Sequence, residues 1–275
     1  MSNLKYSLPA PRDGFQTVVK PGDSGLKYIH FGLLYLKGGG EWSAAADGKE
    51  AVFLLQGGGG RVRVEENSGA EMVFLLLPRR SLFHEKPSLV YFPPDTKFTI
   101  AAGPEGLSGA YIEAPARHRG VPFHVTPDLL TQQTVGEANW QRFVTLATIP
   151  ECGARKLIVG ETINPPGNWS SYPPHKHDTL VPEVEVPMEE VYHYRFSPPG
   201  GFAIQRVYDP PGGGERLEEV AVVEEGDSMV LPRGYHPVVA APGYSLYYLW
   251  VLAGEENSYG AWSDDPAHKW ILQNR

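Results

Sequence analysis

Two histidines that stand two residues apart are the side chains of this sequence best placed to bind a metal ion. His175 and His177 belong to an extended segment, where alternate side chains point to the same side and the two imidazoles lie together. Glu190 follows in a glutamate-rich strand, and His236 comes after a Pro-x-Gly-x turn further along the chain. Three imidazoles and one carboxylate can hold a divalent ion and leave positions open for water or substrate. The set therefore predicts a catalytic metal site.

The same ligand types suit several metals. We expect one divalent ion per chain, with zinc favoured and manganese, iron, nickel or cobalt as alternatives. In the strand that begins at Glu190, Tyr192 and Tyr194 share the face of Glu190, whereas His193 points the other way. Tyr192 and Tyr194 are therefore the candidate catalytic residues. Glu189 is the competing ligand, and it lies on the opposite face if Glu190 points inward.

A second group of residues could bind a substrate next to the metal. Gln205 and Arg206 alternate along one strand, so at most one of them faces the metal. Arg206 either pairs with a carboxylate of the protein or binds the carboxylate of a substrate, and Arg142 is the next candidate for that contact. Tyr248 and Trp250 share a face of the closing strand, where aromatic side chains serve either as core or as contacts for a sugar-like ligand.

Composition and charge narrow the class of protein. The net charge of −8 argues against nucleic acid as a main partner, but local arginines can still attract a small anionic sugar acid. A single cysteine, Cys152, excludes an internal disulfide and a zinc site built from thiolates. The sequence has no apolar run long enough to cross a bilayer and no apolar signal-peptide core after Met1. We therefore expect a cytoplasmic protein without a membrane partner.

The chain reads as two similar halves made of short strands. Its 31 glycines and 26 prolines separate apolar stretches at intervals that are typical of an all-β barrel or sandwich. A strand, a proline turn and a second strand occur at Leu89–Ile100, and the same unit returns at Leu231–Val238. We predict two jelly-roll-like β-barrels in tandem, formed by residues 1–130 and 131–275.

The first half differs from the second where metal ligands are concerned. It has no His-x-His pair and no histidine after its proline turn to match His236, although Glu50 precedes a strand much as Glu190 does. We therefore expect the first barrel to carry no metal. Within this half we predict one strand over Ala51–Gly57, ended by glycines, and a new strand from Arg61.

The metal pattern and the tandem repeat resemble a cupin of two barrels, a bicupin, and a narrower resemblance rests on four motifs. They are Asn168–Asp178, Gly201–Tyr208, Pro232–Pro237 and Tyr247–Leu249. These motifs resemble those of the 5-deoxy-glucuronate isomerase family of myo-inositol catabolism. A sibling family, the 5-keto-4-deoxyuronate isomerases of pectin breakdown, shares the His-x-His and Glu-Val-Tyr elements but lacks Pro-Arg-Gly-Tyr-His. The chain departs from the first family at His193 and Trp250, where that family usually has an aromatic residue and an asparagine.

The resemblance implies an isomerase that converts 5-deoxy-D-glucuronate to 5-dehydro-2-deoxy-D-gluconate, an aldose–ketose exchange between C1 and C2. A divalent ion would bind the two oxygens and stabilise an enediolate while a base moves a proton from C2 to C1. Tyr192, Tyr194 or a metal-bound water could be that base, and a hydride shift is the other route. A cupin dioxygenase, an isomerase of another deoxyuronate and a non-enzymatic sugar-binding cupin are the alternatives. The sequence leaves the oligomeric state open, and a homo-oligomer is compatible with it.

Overall fold

The folded chain is built from β-strands joined by turns. A computed structural model describes residues 3–7, 10–65, 71–212 and 216–272. Within these residues the regular elements are 21 strands and five short 3-10 turns, which confirms the all-β prediction. None of the described helical turns is long and apolar enough to span a membrane. The 3-10 turns cover Asp23–Gly25, Pro127–Leu129, Ala138–Trp140, Pro150–Cys152 and Lys269–Leu272.

The first barrel is formed by eight strands that follow a short strand near the N-terminus. The bounds are Lys5–Ser7 (β1), Gly14–Val19 (β2), His30–Leu36 (β3), Glu41–Ala45 (β4), Lys49–Glu65 (β5), Glu71–Arg79 (β6), Leu89–Phe92 (β7), Lys97–Pro115 (β8) and Phe123–Val125 (β9). The strand order is β2-β3-β8-β5-β7-β9, with β4 paired to β8 and β6 paired to β5. All of these pairs are antiparallel.

The long strand β5 contains glycines at the points where its pairing with β8 is irregular. We predicted two strands separated by a glycine turn, but β5 runs from Lys49 to Glu65 without a break, through two irregularities in its pairing with β8. A Cβ atom at Gly58 would lie 2.1 Å from the backbone oxygen of Gly106, so glycine is needed for the two backbones to approach this closely. The predicted turn was wrong because glycines can bend a strand as well as end it.

The second barrel contains the remaining strands and also takes in β1. The bounds are Gln132–Val135 (β10), Arg142–Leu146 (β11), Leu157–Asn164 (β12), Trp169–Ser170 (β13), His175–Lys176 (β14), Met188–Ser197 (β15), Phe202–Tyr208 (β16), Glu218–Glu224 (β17), Asp227–Leu231 (β18), Val238–Ala240 (β19), Ser245–Gly254 (β20) and Ser263–Asp264 (β21). One sheet has the order β1-β18-β15-β20-β12-β11-β10, a second has β13-β19-β16-β17, and β14 pairs with β21. Because β1 pairs with β18, the proposed boundary at residue 130 separates every strand of the two barrels except β1.

Strand β15 serves two hydrophobic cores because its side chains alternate between its faces. Tyr192 and Tyr194 pack in the interior of the second barrel. Val191, between them, belongs to a different core that also contains Phe31 and Val52 of the first barrel. The two barrels therefore pack sheet against sheet, and the alternation directs every second residue of β15 into the second barrel. Glu190 shares this inward face.

A buried ion pair also crosses the interface between the barrels. Arg79 of β6 donates two hydrogen bonds of 2.7 Å to Glu161 of β12, and Tyr247 donates a third to the same carboxylate. Arg79 and Glu161 are each 4% exposed. Removing one member of such a pair leaves the other charge buried and uncompensated, which costs about 3–5 kcal/mol. The pair thus ties an outer strand of the first barrel to the main sheet of the second.

Candidate metal centre and adjoining pocket

Three histidines and one glutamate meet inside the second barrel. His175 lies on β14 and His177 directly follows that strand, Glu190 lies on β15, and His236 comes after β18 and a proline turn. The ligand atoms of the three histidines lie within 4.8 Å of one another. Oε2 of Glu190 lies 3.2 Å from Nε2 of His177 and 3.2 Å from Nε2 of His236. The structure therefore brings together the four side chains that the sequence singles out as metal ligands.

Backbone contacts orient two of these imidazoles. Nδ1 of His177 lies 2.8 Å from the backbone oxygen of Met188, and Nδ1 of His236 lies 3.0 Å from that of Gly234. A proton on Nδ1 that is donated to a carbonyl leaves the Nε2 lone pair facing the centre. Nε2 of His236 is buried and makes no hydrogen bond, because its contact with Glu190 is not aligned as one. An orphaned lone pair beside a carboxylate fits a divalent ion as the common partner of both groups.

Burial and neighbouring charges set the protonation of the ligands. Burial lowers the pKa of His175 well below its ordinary value, and the nearby His236, His177 and Arg142 lower it further. Burial also lowers the pKa of His236, against the opposing effect of Glu190. For His177 burial is again the largest influence and lowers the pKa, but the hydrogen bond to Glu190, the negative charge of Glu190 and the backbone contact with Met188 together outweigh burial, so the pKa is raised. Since metals bind the neutral imidazole, His175 and His236 are available as ligands at neutral pH.

The register of β15 distinguishes Glu190 from its neighbour Glu189. Glu190 is opposite Leu231 of β18 and faces the barrel interior, on the same side as Tyr192. Glu189 faces the first barrel, where its carboxylate accepts hydrogen bonds from backbone N–H groups, including that of Ile29 at 2.7 Å. Strand alternation thus places the carboxylate of Glu190 beside the three histidines and that of Glu189 at the interface between the barrels.

The segment after the His-x-His pair is bound to the turn that carries the third histidine. Glu185 is 1% exposed and accepts hydrogen bonds of 2.8 Å from Nζ of Lys176 and from the backbone of Asp178. Asp178 in turn accepts a hydrogen bond of 2.7 Å from the backbone N–H of Gly234, close to His236. Lys176 stands between the two histidines, so its outward ammonium fastens the segment without entering the metal centre.

A pocket of about 230 Å³ adjoins the metal centre. Its walls come mainly from the strands β10 to β15, from β20 and from the segment that follows β20. Besides His175, His177 and Glu190 it is lined by Gln133, Val135, Arg142, Val144, Thr162, Ser170, Ser171, Met188, Tyr192, Tyr248, Trp250, Leu252, Tyr259, Gly260 and Trp262. The volume is smaller than that of sites for drug-sized ligands, and the lining includes charged side chains and hydroxyls, so the pocket suits a small polar molecule.

A larger cavity of about 440 Å³ lies elsewhere, beside the interface between the barrels. It is lined by residues of the loop 82–86 and by parts of β11 and β12, and it includes none of the four metal ligands. Its buried charge is Glu161, which is already paired with Arg79. The smaller pocket, in contrast, is lined by three of the four candidate metal ligands.

Two tyrosines in the smaller pocket are each held by a serine. The hydroxyl of Tyr192 lies 2.8 Å from Oγ of Ser171, and the hydroxyl of Tyr248 lies 2.5 Å from Oγ of Ser170. The two rings have their centroids 4.6 Å apart. Burial raises the pKa of both tyrosines, that of Tyr192 well above its ordinary value, so both hydroxyls carry their protons at neutral pH. Trp250, also predicted to contact a ligand, lines the same pocket.

Arg142 is the cation that lines this pocket. Its Nη1 atom donates to the backbone oxygens of Trp140 at 3.3 Å and Tyr172 at 3.0 Å. Within the described parts of the chain, no carboxylate forms an ion pair with Arg142, and Nε and Nη2 have no hydrogen-bond partner. Burial lowers its pKa, and the nearest opposing influences are the hydroxyls of Tyr248 and Tyr192. The guanidinium therefore keeps donors available for an anion.

The structure corrects the expectation that Arg206 binds a substrate. Arg206 lies on the outer face of β16 and donates hydrogen bonds of 2.8 Å and 3.1 Å to Glu218. Its guanidinium also lies 3.8 Å from the ring centroid of Tyr208, and its side chain is 40% exposed. Of the two roles that the sequence left open, the structure therefore places Arg206 in the pairing with a protein carboxylate.

Gln205 and Tyr194 point into the barrel but do not line the pocket either. Tyr194 donates a hydrogen bond of 2.9 Å to Oε1 of Gln205, and both residues are fully buried. The amide nitrogen of Gln205 donates to the backbone oxygens of His236 at 2.8 Å and Pro237 at 3.1 Å. All polar groups of the pair are thus used to hold the backbone at the third histidine, which corrects their predicted roles in substrate binding and catalysis.

Sequence reasoning missed two serines and two aromatic residues of the pocket. Ser170 and Ser171 directly precede the motif Tyr-Pro-Pro-His, so their place beside the ligands was a signal that could have been used. Tyr259 and Trp262 come from the segment after β20, and the Trp262 ring centroid lies 5.1 Å from that of His175. No periodicity or motif pointed to these two residues, because only the fold of the barrel brings that segment to the pocket.

The first barrel has no His-x-His pair, and its strand pairing shows that it also lacks ligands at the positions equivalent to Glu190 and His236. Ala51 in β5 and Glu190 in β15 each lie opposite the last residue of the strand that leads into the proline turn. These last residues are Phe92 and Leu231, and Lys97 follows Phe92 at the same distance along the chain as His236 follows Leu231. The glutamate that seemed to match Glu190, Glu50, is one residue too early and faces the interface. The absence of a metal from this barrel remains a prediction, with a structural reason at these two positions.

The chain is similar to a known family over nearly its whole length. Residues 6–271 match the KduI/IolB family. A relative from Geobacillus thermodenitrificans, named 5-deoxy-glucuronate isomerase, is 32% identical over 281 residues, which cover 100% of this chain and 98% of the relative. A relative of the same name from Halalkalibacterium halodurans is 34% identical over 258 residues, covering 91% of this chain and 90% of the relative.

Solved structures share the fold. An IolB-like protein from Salmonella typhimurium superimposes with a TM-score of 0.89 at 30% identity, covering 98% of this chain and 99% of that chain. Oxalate decarboxylase from Lactobacillus farciminis gives a TM-score of 0.70 at 12% identity, covering 99% of this chain and 91% of that chain. At that identity the likeness shows the fold alone, and it confirms the prediction of a tandem cupin.

Proposed function

Because the chain belongs to the KduI/IolB family, we propose that it is a 5-deoxy-glucuronate isomerase. The reaction converts 5-deoxy-D-glucuronate to 5-dehydro-2-deoxy-D-gluconate by an aldose–ketose exchange between C1 and C2. The observation that carries this proposal is a single small pocket with metal ligands on one side and an arginine without a carboxylate partner on another. A sugar acid has the matching groups, namely vicinal oxygens at one end and a carboxylate at the other.

We assign the carboxylate end of the substrate to Arg142. A carboxylate can accept two hydrogen bonds from the free donors of a guanidinium, and such charge-assisted pairs are stronger than neutral hydrogen bonds. The partly buried setting of Arg142 strengthens the contact, because screening by water is reduced there. Trp250, Tyr259 and Trp262 supply flat apolar surface along the pocket, and the carbon chain of the substrate can pack against it.

The aldehyde end of the substrate belongs at the metal centre. His175, His177, Glu190 and His236 would hold one divalent ion, which supplies Lewis-acid polarisation of the substrate oxygens. Zinc is our first expectation for the ion, with manganese, iron, nickel or cobalt as alternatives that the same ligands can bind. Polarisation makes the proton on C2 more acidic, so a nearby proton carrier can complete the exchange between C2 and C1.

We assign that proton carrier to Tyr192 and retain Tyr248 as a substrate contact. Tyr192 lies two residues after Glu190 on the same face of β15, and its ring centroid is 6.0 Å from that of His236. Its hydroxyl is held by Ser171, which can relay a proton to or from it. For the exchange to balance, the phenol first releases its proton through Ser171, and the resulting phenolate takes the proton from C2. The phenol formed in this way then delivers a proton to C1, and Ser171 returns a proton to the phenolate that remains.

Incubating the purified, metal-loaded protein with 5-deoxy-D-glucuronate in deuterium oxide tests the function directly. We expect nuclear magnetic resonance to show loss of the aldose signals and growth of a ketose, with no uptake of oxygen. Proton exchange through Tyr192 predicts solvent deuterium on the new hydroxymethyl carbon, whereas a hydride shift predicts none. No turnover of this substrate, alongside turnover of a different deoxyuronate, would reassign the substrate. Oxygen consumption would instead indicate a dioxygenase.

Replacing Tyr192 by phenylalanine separates the proposed proton carrier from its buried neighbour. The variant Tyr192→Phe keeps the ring but loses the hydroxyl, and we expect kcat to fall about 100-fold or more at unchanged metal content. The matched variant Tyr194→Phe removes a hydroxyl that binds Gln205 behind the pocket. It is expected to cost about 1 kcal/mol of stability and to leave kcat near that of the parent. The assignment fails if the two variants exchange these effects.

A further inference from the structure

Two buried glutamates, one in each barrel, make the same type of contact with the backbone of the other barrel. Glu50 of the first barrel and Glu189 of the second each accept hydrogen bonds from three consecutive backbone N–H groups of the other barrel. For Glu50 the donors are Arg155 at 3.0 Å, Lys156 at 2.7 Å and Leu157 at 2.7 Å; for Glu189 they are Lys27 at 2.6 Å, Tyr28 at 2.8 Å and Ile29 at 2.7 Å. The donors lead into β12 in the first case and into β3 in the second.

These contacts fix the positions of the strands because both carboxylates are buried. Glu50 is 0% exposed and Glu189 is 7% exposed, so each carboxylate depends on its three donors to replace water. Hydrogen bonds from backbone N–H groups to a buried carboxylate are short and strong, and three donors on one group leave it little freedom to shift. Glu50 has additional neighbours, the hydroxyl of Tyr91 at 3.4 Å and Nε2 of His118 at 3.5 Å.

The two contacts differ in the residue that follows each glutamate along its strand. Glu189 is followed on β15 by Glu190, whose carboxylate lies 3.2 Å from two imidazoles of the metal centre. Glu50 is followed on β5 by Ala51, which occupies the position equivalent to Glu190 and has no group that could bind a metal. Neighbours on a strand share one rigid stretch of backbone and point to opposite faces. A force that fixes Glu189 therefore also fixes the backbone from which Glu190 reaches the metal.

We infer that Glu189 is a positioning residue through which the first barrel holds the metal ligand Glu190 in place. This inference rests on the metal centre of the proposed function. It gives the first barrel a role in the chemistry of the second, because the backbone N–H groups of Lys27–Ile29 hold Glu189 and thereby the neighbouring ligand Glu190. Glu50, in the mirror position, supports the interface and has no ligand beside it to support. The chain thus contains its own matched control.

Zinc affinity of the full-length protein distinguishes the two glutamates. The apo forms of Glu189→Gln and Glu50→Gln would be titrated with zinc ions in competition with a chromophoric chelator, and thermal unfolding would be recorded without metal. Both substitutions keep side-chain volume but remove one acceptor oxygen, so we expect similar decreases in the unfolding midpoint. Zinc affinity is expected to fall about tenfold or more in Glu189→Gln, as it does when outer partners of metal ligands are lost. Glu50→Gln should bind zinc almost as the parent does.

Each outcome of this comparison decides the inference. Loss of affinity in Glu189→Gln beyond that in Glu50→Gln supports it, whereas equal affinities in the two variants overturn it and leave the proposed function intact. A parent protein that binds no zinc or other divalent ion would overturn the metal centre itself. A second pair, Glu189→Asp and Glu50→Asp, keeps the charge but retracts it from the donors. The same ranking is expected there, so the test does not depend on one substitution folding well.

Discussion

Replacing His177 by alanine is expected to remove the bound metal and to reduce isomerase turnover to the background of the assay. His177 is 7% exposed, its Nδ1 is anchored to a backbone oxygen, and its Nε2 faces Glu190 at the centre. Loss of one of four ligands leaves a set that no longer surrounds the ion, and chemistry that needs Lewis-acid polarisation is lost with it. Metal content of the purified variant, measured by mass spectrometry, and turnover of 5-deoxy-D-glucuronate check the two halves of this result.

The fold should survive the loss of His177. The interior of the second barrel is packed by apolar residues of β15, β16, β18 and β20, and these contacts do not depend on the imidazole of His177. The matched control is His84→Ala, because His84 is exposed and borders the larger cavity, away from the ligand set. It should keep its metal and its turnover. A folded His177→Ala protein that still holds a full equivalent of metal would refute the ligand assignment.

The parent protein should hold about one ion per chain, because the four ligands occur in one barrel. In the first barrel, Glu113 is buried and accepts hydrogen bonds from Lys49 at 2.7 Å and Tyr111 at 2.8 Å. Burial opposes its ionisation, but hydrogen bonds from His30, Lys49 and Tyr111 outweigh burial and lower its pKa to about 2. These groups satisfy one another without an ion. Two ions per chain would contradict the assignment of the first barrel as metal-free.

The grouping of His175, His177, Glu190 and His236 could be predicted from the sequence because it depends on local geometry. His175 and His177 point to one side by strand alternation, and the parity of β15 selects Glu190 over Glu189 once one of them is known to face inward. His236 follows a proline turn, and the turn itself has a recognisable composition. The overall class was equally accessible, since short strands and turn residues alternate along the whole chain.

The features that the sequence did not predict correctly depend on how strands far apart in the chain pair with one another. Alternation shows that Gln205 and Arg206 lie on opposite faces, but only the packed sheet shows that Arg206 is the outer one. Glu50 seemed to match Glu190 because both stand near the start of a strand, and a shift of one residue reverses the face. Continuity of β5 through its glycines depends on pairing with β8, which no local pattern encodes.

Replacing Arg142 by methionine is expected to lower kcat/KM for 5-deoxy-D-glucuronate about 100-fold or more, which corresponds to about 3 kcal/mol of lost binding in the transition state. Methionine keeps much of the side-chain volume and removes the charge and the donors. Arg142→Lys keeps the charge but cannot form the planar, two-pronged contact, so an intermediate loss is expected. Metal content should be unchanged in both variants, because Arg142 is not one of the four ligands.

Arg206→Met is the matched control for this prediction. It removes the same groups from an exposed position where the arginine pairs with Glu218, and exposed pairs contribute about 0–1 kcal/mol to stability. Turnover should therefore stay near that of the parent. A large loss of activity in folded Arg206→Met, with little loss in Arg142→Met, would restore the assignment made from sequence and would require the outer face of β16 to take part in substrate binding.

A substrate that lacks the carboxylate tests whether Arg142 acts on that group. In 5-deoxy-D-glucose a hydroxymethyl group replaces the carboxylate, so the parent enzyme should lose the contact that Arg142→Met also loses. The two changes remove the same interaction, and their combined effect on kcat/KM should be close to the larger of the single effects instead of their product. If the effects multiply, Arg142 supports the pocket without touching the carboxylate. The anion would then have to be bound by other groups, such as the serine and tyrosine hydroxyls on the same wall.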